Sequence, residues 1–203
     1  MSTSNGTAIG FDDGLALTQL YADYASVVDS GNWAWWPEFF IDDCVYRLQP
    51  RGNHERGFPL ATLAPTSKGM LKDRVYGITE TLFHNPYYQR HIVGTPVICG
   101  VEEGRIRCES NCAVFCTKLS DASTVFNLGR YLDAVVRTPD GLKFASRECI
   151  YDSEMIPNSI IYPVWGRPIK QTRLCAASSR RAALLRAPAP RPTTAQTGPV
   201  SPA

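Results

Sequence analysis

The 203-residue chain has no run approaching 18 apolar residues, so no segment has the length and character of a membrane-spanning helix. Its first residues, MSTSNGTAIGFDDG, lack the basic and apolar segments that head a secretory signal. A soluble, cytoplasmic protein is the expectation. Seven cysteines, an odd number, without an export signal argue for reduced thiols rather than a disulfide framework. No internal repeat is visible, which argues against solenoids and propellers. No Gly-x-Gly-x-x-Gly, Walker A, Gly-x-Ser-x-Gly or His-Glu-x-x-His string occurs, so nucleotide, acyl-serine and zincin readings have no support.

Acidic residues are missing from one part of the chain. Residues 1–166 hold 14 basic and 19 acidic residues, whereas 167–203 hold 7 basic and none acidic. The net charge of +2 is therefore an acidic domain added to a basic extension. That extension contains six of the fifteen prolines and no aromatic residue, too little apolar surface to offset the entropy of ordering. Residues 167–203 are thus expected to be a disordered tail, 1–13 a flexible N-terminus, and 14–166 the folded domain. The tail's basic residues are scattered and lack interleaved aromatics, so neither nucleic acid nor membrane is expected as a partner.

Within the domain, Leu17, Leu20, Tyr21, Tyr24, Val27 and Val28 recur at helical steps, which predicts a helix over Leu15–Asp29 ended by Gly31. A short helix is predicted over Trp35–Phe40, capped by Asn32 and ended by Asp42-Asp43. A strand follows at Cys44–Leu48, then a Gly/Pro-punctuated loop over Arg51–Pro59, then a helix over Thr66–Thr81. Four long strands follow: Tyr88–Cys99, Arg105–Leu119, Thr124–Arg137 and Leu142–Met155. Turns at Glu103-Gly104, Ser120-Asp121 and Pro139-Asp140-Gly141 separate the later ones. Helices followed by a meander predict an α+β domain whose curved, mostly antiparallel sheet wraps its helices.

Candidate chemistry is sparse. Cys108, Cys112 and Cys116 fall on one face of a strand, but neighbours would stand about 13 Å apart at roughly 3.3 Å per residue. That separation is too wide for a shared metal or a disulfide, so they read as small buried apolar residues. The paired Cys-x-His and Cys-x-x-His elements of a Rieske cluster are missing. An iron triad would have to draw on Glu80, His84 and His91, and His84 falls outside the predicted helix, just before Pro86. An acid–base enzyme remains conceivable, with His91 as base, Asp42 or Asp43 orienting it and Tyr46 donating a hydrogen bond. The competing reading makes Asp42-Asp43 a helix end and His91 a structural hydrogen-bonding group.

Arg130 interrupts the apolar set Phe126, Leu128, Leu132, Ala134 and Val136, so it must find a partner or reach the sheet's open end; Glu148 on the next strand is the candidate mate, and a site or subunit contact is the alternative. Trp33, Trp35 and Trp36 cannot all share one buried helix face, so at least one should be exposed or meet a partner.

The strings DSGNWAWWPEFFIDDCVYRL, GMLKDRVYGITETLFHNPYYQRHIVG, FNLGRYLDAVVRTPDG and RECIYDSEMIPNSIIYPVW, in that order, resemble the small (β) subunits of bacterial aromatic-ring-hydroxylating oxygenases. Within that family the strings look most like the small subunit of salicylate 5-hydroxylase. The resemblance covers residues 15–165 and leaves the tail outside. It implies a cystatin-like, NTF2-like α+β cone with no catalytic, cofactor-binding or metal residues to carry over. It also implies an α3β3 assembly containing a β trimer, with a large (α) subunit holding a Rieske [2Fe–2S] cluster and a mononuclear Fe(II). NADH would supply electrons through a reductase and a ferredoxin. Trp33, Trp36, Arg90, His91 and Trp165 are the expected subunit-interface residues, because aromatic and Arg anchors dominate interfaces. A stand-alone isomerase or dehydratase and a small-molecule-binding module of the same fold are the alternatives.

Overall fold

The computed structural model describes residues 10–81 and 87–153. Helix α1 spans Phe11–Asp29 and buries Leu17, Leu20, Tyr21, Tyr24 and Val28, the stripe its periodicity predicts. It starts four residues earlier than expected, so residues 11–13 are helical rather than flexible. Asp13 explains the difference: its carboxylate accepts the Gly10 N–H at 2.9 Å and pairs with Arg137 at 2.8 Å. Gly31, at φ +67°, supplies the left-handed stop.

The next element is a 3₁₀ helix over Trp33–Phe39, and the Asn32 side chain makes no capping bond to it. Strand β1 covers Phe40–Pro50. Asp42 and Asp43, expected to end a helix, instead lie in this strand at the irregularity between Phe40 and Val45. A short helix, α2 (Arg51–Glu55), occupies the start of the predicted loop. Helix α3 (Lys68–Tyr76) is capped by the Ser67 hydroxyl, which accepts the Met70 N–H at 3.3 Å, and a π turn extends it through Gly77–Thr81.

The segment predicted as one strand over Tyr88–Cys99 is two, β2 (Tyr87–Val93) and β3 (Val97–Glu102), broken where Pro96 cannot donate to a ladder. Both pair antiparallel with β4 (Arg105–Lys118), which continues into β5 (Thr124–Thr138) and β6 (Gly141–Tyr151). The connecting turns are those expected, with positive φ at Glu103, Gly104, Ser120 and Gly141. The sheet runs β1-β6-β5-β4-β2, with β3 also on β4 and β1 parallel to β6. The resulting mixed, mostly antiparallel sheet has α1, the 3₁₀ helix and α3 packed on it through an aromatic-rich core. Among the described residues, no helix is long and apolar enough to cross a membrane.

Alternation along β5 is reversed from the expectation over residues 127–133. Of the apolar set read as core-facing, Leu128 is 46% exposed while Asn127, Tyr131 and Asp133 are buried; beyond them a register shift between Ala134 and Val135 leaves both of those residues buried. Arg130 consequently lies on the outward face and meets Glu109 of β4 at 3.3 Å, not Glu148. Glu148 instead approaches His54 Nδ1 at 3.8 Å.

Candidate functional site

The interior of the fold is built around a charge. Asp133 on β5 and Arg147 on β6 are directly opposed in the ladder, and both face inward. Arg147 Nε donates to Asp133 Oδ1 at 3.0 Å and Nη2 to Oδ2 at 2.7 Å, a bidentate fork. The Tyr21 hydroxyl of α1 donates a hydrogen bond to the same carboxylate. The guanidinium carbon lies 3.9 Å from the Phe144 ring centroid, 4.2 Å from Tyr24, 4.3 Å from Tyr131 and 4.7 Å from Tyr21. Each ring presents its electron-rich face to the cation. Trp36 extends the cluster, its Nε1 donating to the Tyr24 hydroxyl at 3.0 Å.

Electrostatics follow from this packing. Burial works against the Arg147 charge, but Asp133 more than offsets it, and the guanidinium pKa stands well above its ordinary value. Burial pushes the Tyr24 phenol up to about 12 and the Cys108 and Cys112 thiols up to about 11. Such groups stay protonated near neutrality and make poor nucleophiles or metal ligands. Cys108, Cys112 and Cys116 share one strand face, as their spacing predicts; Cys108 lies in the core, the half-buried Cys112 packs against it, and Cys116 is buried outside it. Among the described residues, no three His, Cys, Asp or Glu side chains come together to hold a metal ion.

His91 is placed differently from the expectation. Asp29, at the end of α1, holds it: the His91 backbone N–H donates to Asp29 Oδ2 at 3.1 Å, and ring Nδ1 hydrogen-bonds Oδ1. Asp42 and Asp43 are exposed on β1, at the opposite edge of the sheet from β2, and Tyr46 is buried against Cys149 Sγ at 3.5 Å. The proposed base, orienter and donor are not assembled. Arg90 lies at the rim, 3.6 Å from Asp29, beside an open groove of about 360 Å³ between α1 and β2.

Burial pushes the His91 imidazole down to about 4 despite the hydrogen bond and charge of Asp29. A depressed folded-state pKa means that the unfolded chain binds the proton more tightly, so stability is lost as pH falls from about 6.5 toward 4. We expect about 2 kcal/mol of stability to be gone by pH 5 relative to pH 7.5. Urea unfolding of the wild type and His91→Gln at both pH values checks this: the variant should show a flatter dependence over that interval.

The interface residues expected from sequence separate into three groups. Trp33 and Trp36 are core residues, and Trp36 is 0% exposed, so its removal would report on folding rather than assembly. Trp35, at 61%, is the outward member of the trio. Of the others, Arg90 is exposed, the His91 ring is buried, and Trp165 lies outside the described residues, as do His84 and the tail. Asp29 is not legible in the sequence because its partner His91 is distant in the chain, and Asp133 and Arg147 are not because the alternation of β5 pointed to the other face as the buried one.

A family model of the SnoaL-like domain matches residues 11–148. The anthranilate 1,2-dioxygenase small subunit of Burkholderia cepacia is 33% identical over 141 residues, spanning 70% of this chain and 88% of that one. The terephthalate 1,2-dioxygenase terminal oxygenase component subunit beta 1 of a Comamonas species is 29% identical over 150 residues, spanning 74% and 97%. A crystal structure described as the β subunit of an aromatic-ring-hydroxylating dioxygenase from Novosphingobium aromaticivorans superimposes with a TM-score of 0.67 at 31% identity, covering 77% of this chain and 96% of that one. The helices, the mixed sheet and these similarities agree: the chain belongs to the SnoaL-like, NTF2-like family and, within it, to the small subunits of aromatic-ring-hydroxylating dioxygenases.

Proposed function

We propose that this chain is the non-catalytic small subunit of a terminal oxygenase, assembled with a large subunit as α3β3 in the cytoplasm. The observation that carries this reading is the filled interior. Where an enzyme of this shape would need an accessible reacting group, the chain packs Arg147, 0% exposed, among four aromatic rings and a carboxylate. In the proposed complex the large subunit holds the Rieske [2Fe–2S] cluster and the mononuclear Fe(II), with NADH supplying electrons through a reductase and a ferredoxin. Salicylate is the proposed substrate. The Burkholderia relative is named for anthranilate, and both molecules are ortho-substituted benzoates.

The test is co-purification with a large subunit, followed by native mass determination and turnover. The expected result is a 3:3 complex that hydroxylates salicylate when reductase and ferredoxin are supplied, and no turnover by the isolated chain. Turnover by the chain alone, or failure of the two subunits to associate, would overturn the proposal.

A further inference from the structure

Four consecutive apolar residues, Phe58-Pro59-Leu60-Ala61, follow α2, and the first three are exposed, with Phe58 at 50% and Leu60 at 72%. Consecutive exposed apolar residues are unfavourable in water unless something uses them. This segment is also held in place. Gln49 of β1, only 3% exposed, donates its side-chain amide to the Phe58 carbonyl at 2.6 Å and the Leu60 carbonyl at 3.3 Å. Asn53 donates to the Leu60 carbonyl at 3.0 Å, Gly57 turns the chain at φ +67°, and Pro59 restricts the backbone between the two large side chains. Burying an amide is costly unless its bonds are made, and here those bonds fix a knuckle whose apolar side chains point away from the core.

We propose that the Phe58-Pro59-Leu60 knuckle is a preorganised anchor that inserts into an apolar pocket of the large oxygenase subunit; this rests on the small-subunit reading above. Preorganisation lowers the entropy lost on binding, and a large aromatic and an aliphatic anchor form the kind of apolar centre that dominates interface energetics. Arg51, paired with Glu55 at 2.8 Å and Asp152 at 3.3 Å, supplies a charged rim beside it. The large subunit is the assigned occupant because the matched relatives are small or β subunits of terminal oxygenases.

The experiment measures affinity between full-length chain and the large subunit co-purified with it from its host. Phe58→Ser with Leu60→Ser should raise Kd roughly 100-fold or more while leaving the circular dichroism and Tm of the isolated chain unchanged. Gln49→Leu, which keeps both anchors but frees the loop, should raise Kd about tenfold and speed amide exchange over residues 57–62. An unchanged Kd in the double variant would overturn the proposal. So would loss of self-association by the isolated double variant with large-subunit affinity retained, which would make the knuckle a contact between copies. A wild-type chain that binds no large subunit would instead refute the small-subunit reading and the knuckle's assigned partner with it.

Discussion

Asp133→Asn should cost about 4 kcal/mol and lower Tm by roughly 8–16 °C, the largest effect we expect of any single conservative change. The substitution preserves the side chain's shape and removes its charge. Arg147 would then keep a full positive charge at 0% exposure with only aromatic faces and a neutral amide around it. Cation–π contacts contribute at most a few kcal/mol together and do not replace a bidentate carboxylate. The Tyr21 hydroxyl would also lose its charged acceptor. Because a domain's total stability is about 5–15 kcal/mol, the variant stands near the folding threshold, so a second variant makes the test decisive. Asp133→Leu combined with Arg147→Met removes both charges and should recover most of the loss, since replacing a whole buried pair is often neutral or better. Calorimetry on the three proteins checks it. A Tm for Asp133→Asn within about 2 °C of wild type would show that Arg147 does not depend on this carboxylate.

Gly129→Ala is the second large effect, expected at about 3 kcal/mol, with a Tm drop of roughly 6–12 °C. A Cβ at position 129 would fall 2.0 Å from the Ile150 carbonyl oxygen and 2.9 Å from Tyr151 Cα. Both are backbone atoms of the neighbouring strand, so no side-chain rotation can relieve the overlap. β5 and β6 would have to separate where Asp152 N–H bonds the Leu128 carbonyl at 2.8 Å. Alanine at Gly52, where nothing lies within 4 Å of the position its methyl group would take, is the control and should change stability little. Equal Tm values for the two variants would contradict the close approach.

Local features of the fold were legible because local rules determine them. The α1 stripe, the left-handed stop at Gly31 and the later hairpin turns follow from spacing and turn chemistry. Boundaries failed where a distant residue intervened. Arg137 stabilises the first turn of α1 through Asp13, and Asn111 accepts the Gly94 N–H where the predicted strand breaks. The same limit applies to the site: His91 was singled out, but its carboxylate came from the end of α1 rather than from the acidic pair nearest the helix boundary.

Strand β5 separates the two kinds of information most clearly. Alternation established that Thr124–Thr138 is a strand with two distinct faces. It could not establish which face turns inward, because one set was almost wholly apolar and the other contained Asn127 and Asp133. Only the pairing of β5 with β6 decided it, by setting Arg147 opposite Asp133 and neutralising a charge that would otherwise have forced that face outward. Part of the apolar set was thereby left outside, with Leu128 beside Ala113 and Ile92 on adjacent strands, while Ala134 of the same set is buried. Order of elements, turn positions and family membership thus belong to the sequence, where periodicity and local chemistry act. The charged core and the exposed apolar surfaces belong to the tertiary structure, because a buried charge becomes tolerable only when the strand register sets an opposite charge directly against it.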